Sequence, residues 1–188
     1  MEARALGSWS SMACDIDSSR AQPEKMHRPH FPRDQPELPF SYTVKEPRWD
    51  SGARTVEDIV YHPTVAMRFR DGWVLGADRG EWGGELVFSP DNGSAYVILD
   101  DVITDFWELE FGVVALGGRS YLGSSVGRVF LLEVVGDNVT ARRLHGLPGA
   151  PESSALLMDG SLLIRTTDGD VVLDGSAKLT PVRCRDDG

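Results

Sequence analysis

The feature that most constrains this chain is a series of short apolar runs separated by turn signals, which begins at Val65 and continues almost to the C-terminus. The runs are rich in Val, Leu, Ile and aromatic residues and lack a sustained helical period. Between them stand pairs such as Asp71-Gly72, Asp159-Gly160 and Asp168-Gly169, which supply the positive φ angles of tight hairpins. The pattern predicts an all-β domain of antiparallel hairpins.

The hairpins recur as three similar units that start at Arg70, Glu110 and Met158. Each unit consists of a turn, a strand, a glycine-containing connection, a second strand, a polar turn and a third strand. One more strand is predicted before each of these sequences. The three added strands are placed at 65–69, 103–109 and 154–158, so that each unit has four strands.

This recurrence resembles the blades of β-propeller repeat proteins, without matching any named propeller subfamily. The resemblance covers residues 65–184 and implies an antiparallel all-β fold of three consecutive four-stranded blades, arranged as a partial propeller or a twisted sandwich. Three blades do not close a ring, so further strands are expected at 40–45 and 56–61. An open sheet edge would be covered by the N-terminal segment or would allow a dimer.

Two glycine-rich stretches invite a catalytic interpretation. Residues 76–88 read GADRGEWGGELVF, but a phosphate-binding loop is followed by a helix, whereas a strand is predicted here. The stretch is therefore interpreted as a turn between two strands, with Trp82 packed over an edge glycine. Residues 123–127 read GSSVG, which matches the pattern of a nucleophile elbow, yet that elbow requires a strand-to-helix turn. No catalytic residue, metal ligand or cofactor site is predicted.

Composition bounds the class of protein. The 188 residues suffice for one domain, and the net charge of −10 argues against nucleic acid as a partner. No apolar run is long enough for a membrane span. Residues 1–38 are expected to form a flexible, polar, proline-rich segment and residues 39–188 a single all-β domain.

The two cysteines do not determine the cellular compartment of the protein. Cys14 and Cys184 are expected to be free thiols, or to form a disulfide in an oxidising compartment. The chain as written is expected to be cytoplasmic. A periplasmic lipoprotein anchored at Cys14 is the alternative if the true leader is missing.

The strand at 100–110, DDVITDFWELE, carries five carboxylates among large apolar residues. Alternation would place Ile103 and Trp107 on one face and Phe106 on the other. An ordinary strand with a solvated acidic rim is one interpretation; an acidic surface with an aromatic anchor for a cationic protein is the other. The predicted partner-binding residues are Asp100, Asp101, Asp105, Trp107 and Glu108, together with Glu81 and Trp82 of the glycine-rich turn.

The small size, acidic charge and missing catalytic motif also resemble the immunity proteins of bacterial toxin systems. That resemblance implies a non-enzymatic protein that binds a basic toxin or effector and occludes it. A small hydrolase or lyase with its site in the mouth of a propeller-like barrel is the rival hypothesis, and an envelope-associated lipoprotein module is the third.

Overall fold

A computed structural model describes residues 21–27, 41–50 and 53–182. These residues form β-strands, turns and one short 3-10 helix, Gly80–Trp82, and include no α-helix. The strands are β1 (Ala21–His27), β2 (Tyr42–Asp50), β3 (Ala53–Tyr61), β4 (Val65–Phe69), β5 (Gly72–Gly76), β6 (Leu86–Pro90), β7 (Tyr96–Leu99), β8 (Ile103–Leu109), β9 (Gly112–Tyr121), β10 (Ser124–Val135), β11 (Asn138–Leu147), β12 (Pro151–Leu157), β13 (Leu162–Thr166), β14 (Val171–Leu173) and β15 (Leu179–Pro181).

Three sheets follow one another along the chain, each built from four consecutive antiparallel strands. The first sheet is β4-β5-β6-β7, the second is β8-β9-β10-β11, and the third is β12-β13-β14-β15, to which β1 adds a fifth strand beside β12. The predicted all-β, antiparallel fold with three consecutive four-stranded units is confirmed. The described strands form no closed barrel, and the arrangement is consistent with a partial propeller or a sandwich.

The predicted turn signals lie at the ends of these strands. Gly160 and Gly169 have φ angles of 81° and 136°, which are accessible to glycine without the steric cost of a Cβ atom. Gly72 is required for a different reason, because a Cβ atom there would lie 2.5 Å from the carbonyl oxygen of Ser89. The local turn chemistry thus sets where each strand ends.

The sheets stack face to face with apolar side chains between them. The second sheet is central, since its strands contribute to two separate cores. Toward the first sheet the core contains Val74, Leu86, Phe88, Ile103, Phe106, Ala115, Phe130, Leu132 and Val139. Toward the third sheet it contains Trp107, Leu109, Val114, Leu116, Val129, Leu156, Leu162, Ile164, Val171 and Leu173.

A β-bulge in β8 decides which of its side chains face each core. Ile103 pairs with Gly117, but Asp105 pairs with the next residue, Leu116, so Thr104 is an extra residue in the ladder. The extra residue shifts the alternation of faces. The expectation that Ile103 shares a face with Trp107 is therefore wrong: Ile103 packs in the core toward the first sheet and Trp107 in the core toward the third.

Strands before Val65 cover surfaces that the three sheets leave open. The hairpin β2-β3, near the predicted strands 40–45 and 56–61, packs on the outer face of the first sheet through Tyr42, Leu75, Ala77 and Val87. β1 pairs antiparallel with β12, as expected for an N-terminal segment that covers an open edge. Apart from β1, the predicted flexible segment 1–38 lies outside the described residues, as do both cysteines.

Candidate functional site

One end of the molecule gathers the connections between strands, and we call it the loop end. It comprises the connections 77–85, 122–123 and 167–170 within the three sheets and the segments 100–102 and 148–150 between sheets. An alternating antiparallel order brings these five connections to the same side. Backbone hydrogen bonds tie them together, from Ile103 N–H to Ala77 O (3.1 Å), from Gly118 N–H to Val102 O (3.0 Å) and from Thr167 N–H to Ala150 O (3.1 Å).

Close backbone packing explains the glycines at this end. A Cβ atom on Gly84 would lie 2.1 Å from Ala77 O, and one on Gly127 would lie 2.1 Å from Gly149 O. Strand β6 begins two residues after Gly84, with no helix between them. The glycine-rich stretch is therefore a turn between two strands, as predicted.

A groove runs between the turn 77–85 of the first sheet and the hairpin β9-β10 of the second, and we call it the loop-end groove. It consists of two adjoining depressions of about 550 and 340 Å³ that share Arg119 and Val126 in their walls. Trp82 and Tyr121 line the larger depression. Asp100 and Asp101 line the smaller one.

Large apolar side chains are exposed around this groove. The exposed fraction is 78% for Trp82, 51% for Tyr121, 87% for Leu122 and 38% for Val126. Trp82 does not pack over a glycine, which corrects the expectation drawn from the sequence. An exposed apolar patch with a polar rim is typical of a binding surface.

The structure brings three of the predicted partner-binding residues together and separates the others. Trp82, Asp100 and Asp101 all line the loop-end groove. Glu108 is exposed near the other end of β8. Glu81 belongs to the 3-10 helix beside the groove, and its side chain lies outside the described part of the chain.

Asp105 and Trp107 are core residues, only 4% and 5% exposed, which corrects their assignment to a partner-binding surface. Asp105 Oδ2 accepts hydrogen bonds from Trp107 Nε1 (3.0 Å) and Ser154 Oγ (2.5 Å), and Asp105 Oδ1 accepts one from Phe106 N–H (2.9 Å). Trp107 Nε1 also lies 2.8 Å from Ser154 Oγ. The bulge at Thr104 turns both side chains toward the third sheet.

A buried ionic network supports the turn that carries Trp82. The Glu85 carboxylate, 3% exposed, accepts hydrogen bonds from the Tyr42 hydroxyl and the Arg79 guanidinium. The Arg79 guanidinium lies 4.1 Å from the centre of the Tyr61 ring, a cation–π distance. Burial, together with the hydrogen bond to Glu85, raises the pKa of the Tyr42 hydroxyl above its usual value. The network joins the hairpin β2-β3 to this turn.

Charge within the groove is mixed. Arg128 Nη1 lies 2.7 Å from Asp101 Oδ2, so the guanidinium compensates the charge of that carboxylate. Arg119 lines both depressions. Asp100 is exposed. The five carboxylates of residues 100–110 therefore do not form one acidic face.

The GSSVG stretch has no catalytic geometry. It crosses the two-residue turn of the β9-β10 hairpin, with no helix after it. Ser125 Oγ lies 2.5 Å from Thr167 Oγ1 and accepts a hydrogen bond from Ala150 N–H (2.7 Å). The Nε2 atom of His145 instead bonds with the carbonyl oxygen of Ala177 (2.7 Å).

The described ranges contain no cluster of three or more His, Cys, Asp or Glu side chains arranged to hold a metal ion. None of their helices has the length and apolar character needed to cross a membrane.

Tyr121, Leu122 and Val126 were missed in the sequence because they lie in the second repeated unit, about 40 residues from Trp82. One sequence feature could have indicated these residues. In the turn Tyr121-Leu122-Gly123-Ser124, Leu122 occupies a position that Asn, Asp or Gly usually fills.

No protein-family model, no curated protein and no solved structure matches this chain.

Proposed function

We propose that this protein is a non-enzymatic binding module that recognises a protein partner through the loop-end groove. The exposure of Trp82, 78%, carries the proposal. Tryptophan and tyrosine are the side chains that most often dominate the free energy of binding at protein interfaces. Trp82 stands on a turn held by backbone hydrogen bonds and by the Glu85 network. A preorganised anchor of this kind loses little conformational entropy when it binds.

The charge of the chain favours a basic partner. The net charge is −10, so the long-range field attracts a cationic protein and speeds its association. Asp100, exposed in the groove wall, gives this attraction a local direction. Arg119 interrupts the acidic surface, which favours a partner with a few well-placed cations over one that is uniformly basic.

The mode of action that we propose is occlusion, and the biological role is that of an immunity protein that neutralises a basic toxin or effector. A stable complex buries about 800 Å² on each partner. The loop end presents an apolar centre with a charged rim, the usual anatomy of such an interface. Occlusion of a partner's active site requires no chemistry from this chain.

The direct test is capture followed by measurement with purified proteins. The full-length chain is immobilised, incubated with a lysate of its native host at low salt, and eluted with high salt. Each basic protein retained is then purified, and its binding stoichiometry and its own activity are measured. We expect one-to-one binding and stoichiometric loss of the partner's activity, with the partner's mass unchanged. A covalently altered or cleaved partner would support the hydrolase or lyase hypothesis instead.

Paired variants of this chain show which of its surfaces binds that partner. Trp82→Ala should weaken binding at least tenfold through faster dissociation. Asp100→Lys should slow association and reduce its dependence on salt. The matched controls are Val135→Ala and Glu108→Lys, exposed positions at the opposite end of the second sheet. If Glu108→Lys slows association as much as Asp100→Lys, the loop-end groove is not the site.

A further inference from the structure

The tip of the β9-β10 hairpin has an unusual residue in its turn. Tyr121 pairs with Ser124, so Leu122 and Gly123 form a two-residue turn. Their φ angles are 45° and 78°, the left-handed pair of a type I′ turn. Gly123 suits its position, whereas a leucine side chain is disfavoured at positive φ.

Leu122 is also the most exposed of the large apolar residues described, at 87%. A leucine that packed against the protein would offset its backbone strain by burial, but this side chain is in solvent. Backbone conformation and solvation therefore both disfavour leucine at this position. Residues held in sparsely populated backbone regions cluster at functional sites.

The other strained positions lack a large exposed apolar side chain and lie away from the groove. Arg70 and Ala177 are the remaining described non-glycine residues with positive φ, at 53° and 63°. They lie in the β4-β5 and β14-β15 turns, at the end of the molecule opposite the loop end. Neither presents a large apolar side chain. Strain and apolar exposure coincide at Leu122, beside the groove that Tyr121 and Trp82 line.

We propose that Leu122 is a recognition tip that inserts into an apolar pocket on a basic protein partner. This inference rests on the function proposed above and adds the shape of the partner's site. Tyr121 and Trp82, both exposed, would cover the rim of that pocket. Asp100, on the wall of the same groove, would face cationic side chains on the rim. The partner site is thus an apolar pocket bordered by Lys or Arg, and the two-residue turn presents Leu122 on an ordered backbone, which lowers the ordering cost on binding.

The test uses Leu122→Asn in the full-length chain. Asn-Gly is the preferred pair for a type I′ turn, so this change relieves the backbone strain and removes the apolar side chain. We expect the melting temperature to rise, while affinity for the purified basic protein from the capture experiment falls at least tenfold. Ala177→Asn is the matched control, because it relieves strain at a left-handed position away from the groove and should leave affinity unchanged.

The outcomes separate this inference from the proposed function. If Leu122→Asn lowers the melting temperature, Leu122 has a structural role and the inference is wrong. If Leu122→Asn binds the captured protein as tightly as the wild type while Trp82→Ala does not, the groove is the site but Leu122 is not its tip. If the wild-type chain binds no basic protein directly, both the function and the inference are wrong.

Discussion

At the scale of single residues, Asp105 shows how a carboxyl group is accommodated in a core of stacked sheets. An ionised carboxylate without hydrogen-bond donors is strongly disfavoured in an apolar interior. Asp105 meets three donors, namely Phe106 N–H, Trp107 Nε1 and Ser154 Oγ. Because Ser154 belongs to β12 and the others to β8, the carboxylate bonds the second sheet to the third. Its role in this structure is to join two sheets.

Asp105→Asn should lower the free energy of unfolding by about 2 kcal/mol. Asparagine has one acceptor oxygen in place of two, so at least one of the buried donors loses its partner. Urea denaturation measures the change, with the exposed Asp100→Asn as the control that should have little effect. Unchanged stability combined with weaker partner binding would instead support the sequence-based assignment of Asp105 to the partner-binding surface.

At the scale of secondary-structure elements, the hairpin β2-β3 and the turn 77–85 depend on each other. Tyr42 lies on the hairpin and Arg79 in the turn, and both bond to Glu85, the last residue of the turn before β6. The Tyr42 and Tyr61 rings are 6.2 Å apart and pack beside this network. The turn that carries Trp82 is therefore held in part by the hairpin β2-β3.

Tyr42→Phe should lower the free energy of unfolding by about 1–2 kcal/mol, because it removes a donor from a buried carboxylate. It should also increase amide hydrogen exchange in β2, β3 and the turn 77–85, with the third sheet unaffected. Hydrogen exchange followed by mass spectrometry resolves the two regions. Uniformly faster exchange in all three sheets would show that the network supports the whole fold.

Alkaline pH should act through the same tyrosine. The pKa of Tyr42 is raised in the folded protein by burial and by Glu85, whereas an unfolded tyrosine ionises near pH ~10. The stabilisation is thus fully present below that pH and declines as the pH rises above it, because the unfolded state then releases the proton more readily. Urea denaturation in the wild type and in Tyr42→Phe should show the steeper decline in the wild type. Parallel declines would exclude Tyr42 as the group responsible.

At the scale of the whole molecule, stability depends on how the sheets cover one another. The second sheet is covered on both faces, and the hairpin β2-β3 covers the first. The β12 edge of the third sheet pairs with β1. An uncovered edge offers unpaired N–H and C=O groups to another chain, and β1 occupies these groups on the β12 edge.

Deletion of residues 1–27 should therefore promote self-association. The exposed β12 edge is expected to pair with a second copy, which gives a concentration-dependent increase in mass by sedimentation. The acidic charge of the chain opposes association, so raised salt should strengthen it. A truncated protein that stays monomeric at all salt concentrations, with unchanged stability, would show that β1 contributes nothing to edge protection.

The amino-acid sequence by itself determined the strands, their antiparallel order and their grouping into three units. These features follow from alternation, strand length and Asp-Gly turns, which act over a few residues. Strands β4 and β8 match their predicted bounds, 65–69 and 103–109. The sequence also indicated Trp82, Asp100 and Asp101 as candidate partner-binding residues, since each stands in a turn or at the start of a predicted strand.

Only the tertiary structure decided which side chains a partner can reach. One extra residue at Thr104 reverses the alternation in β8 and directs Trp107 into the core, and a bulge has no reliable signature in its own strand. Trp82 and Tyr121 line one depression because two sheets stack and bring their turns to the same end. Such proximity depends on pairing register and packing between distant segments, which local residue preferences do not specify.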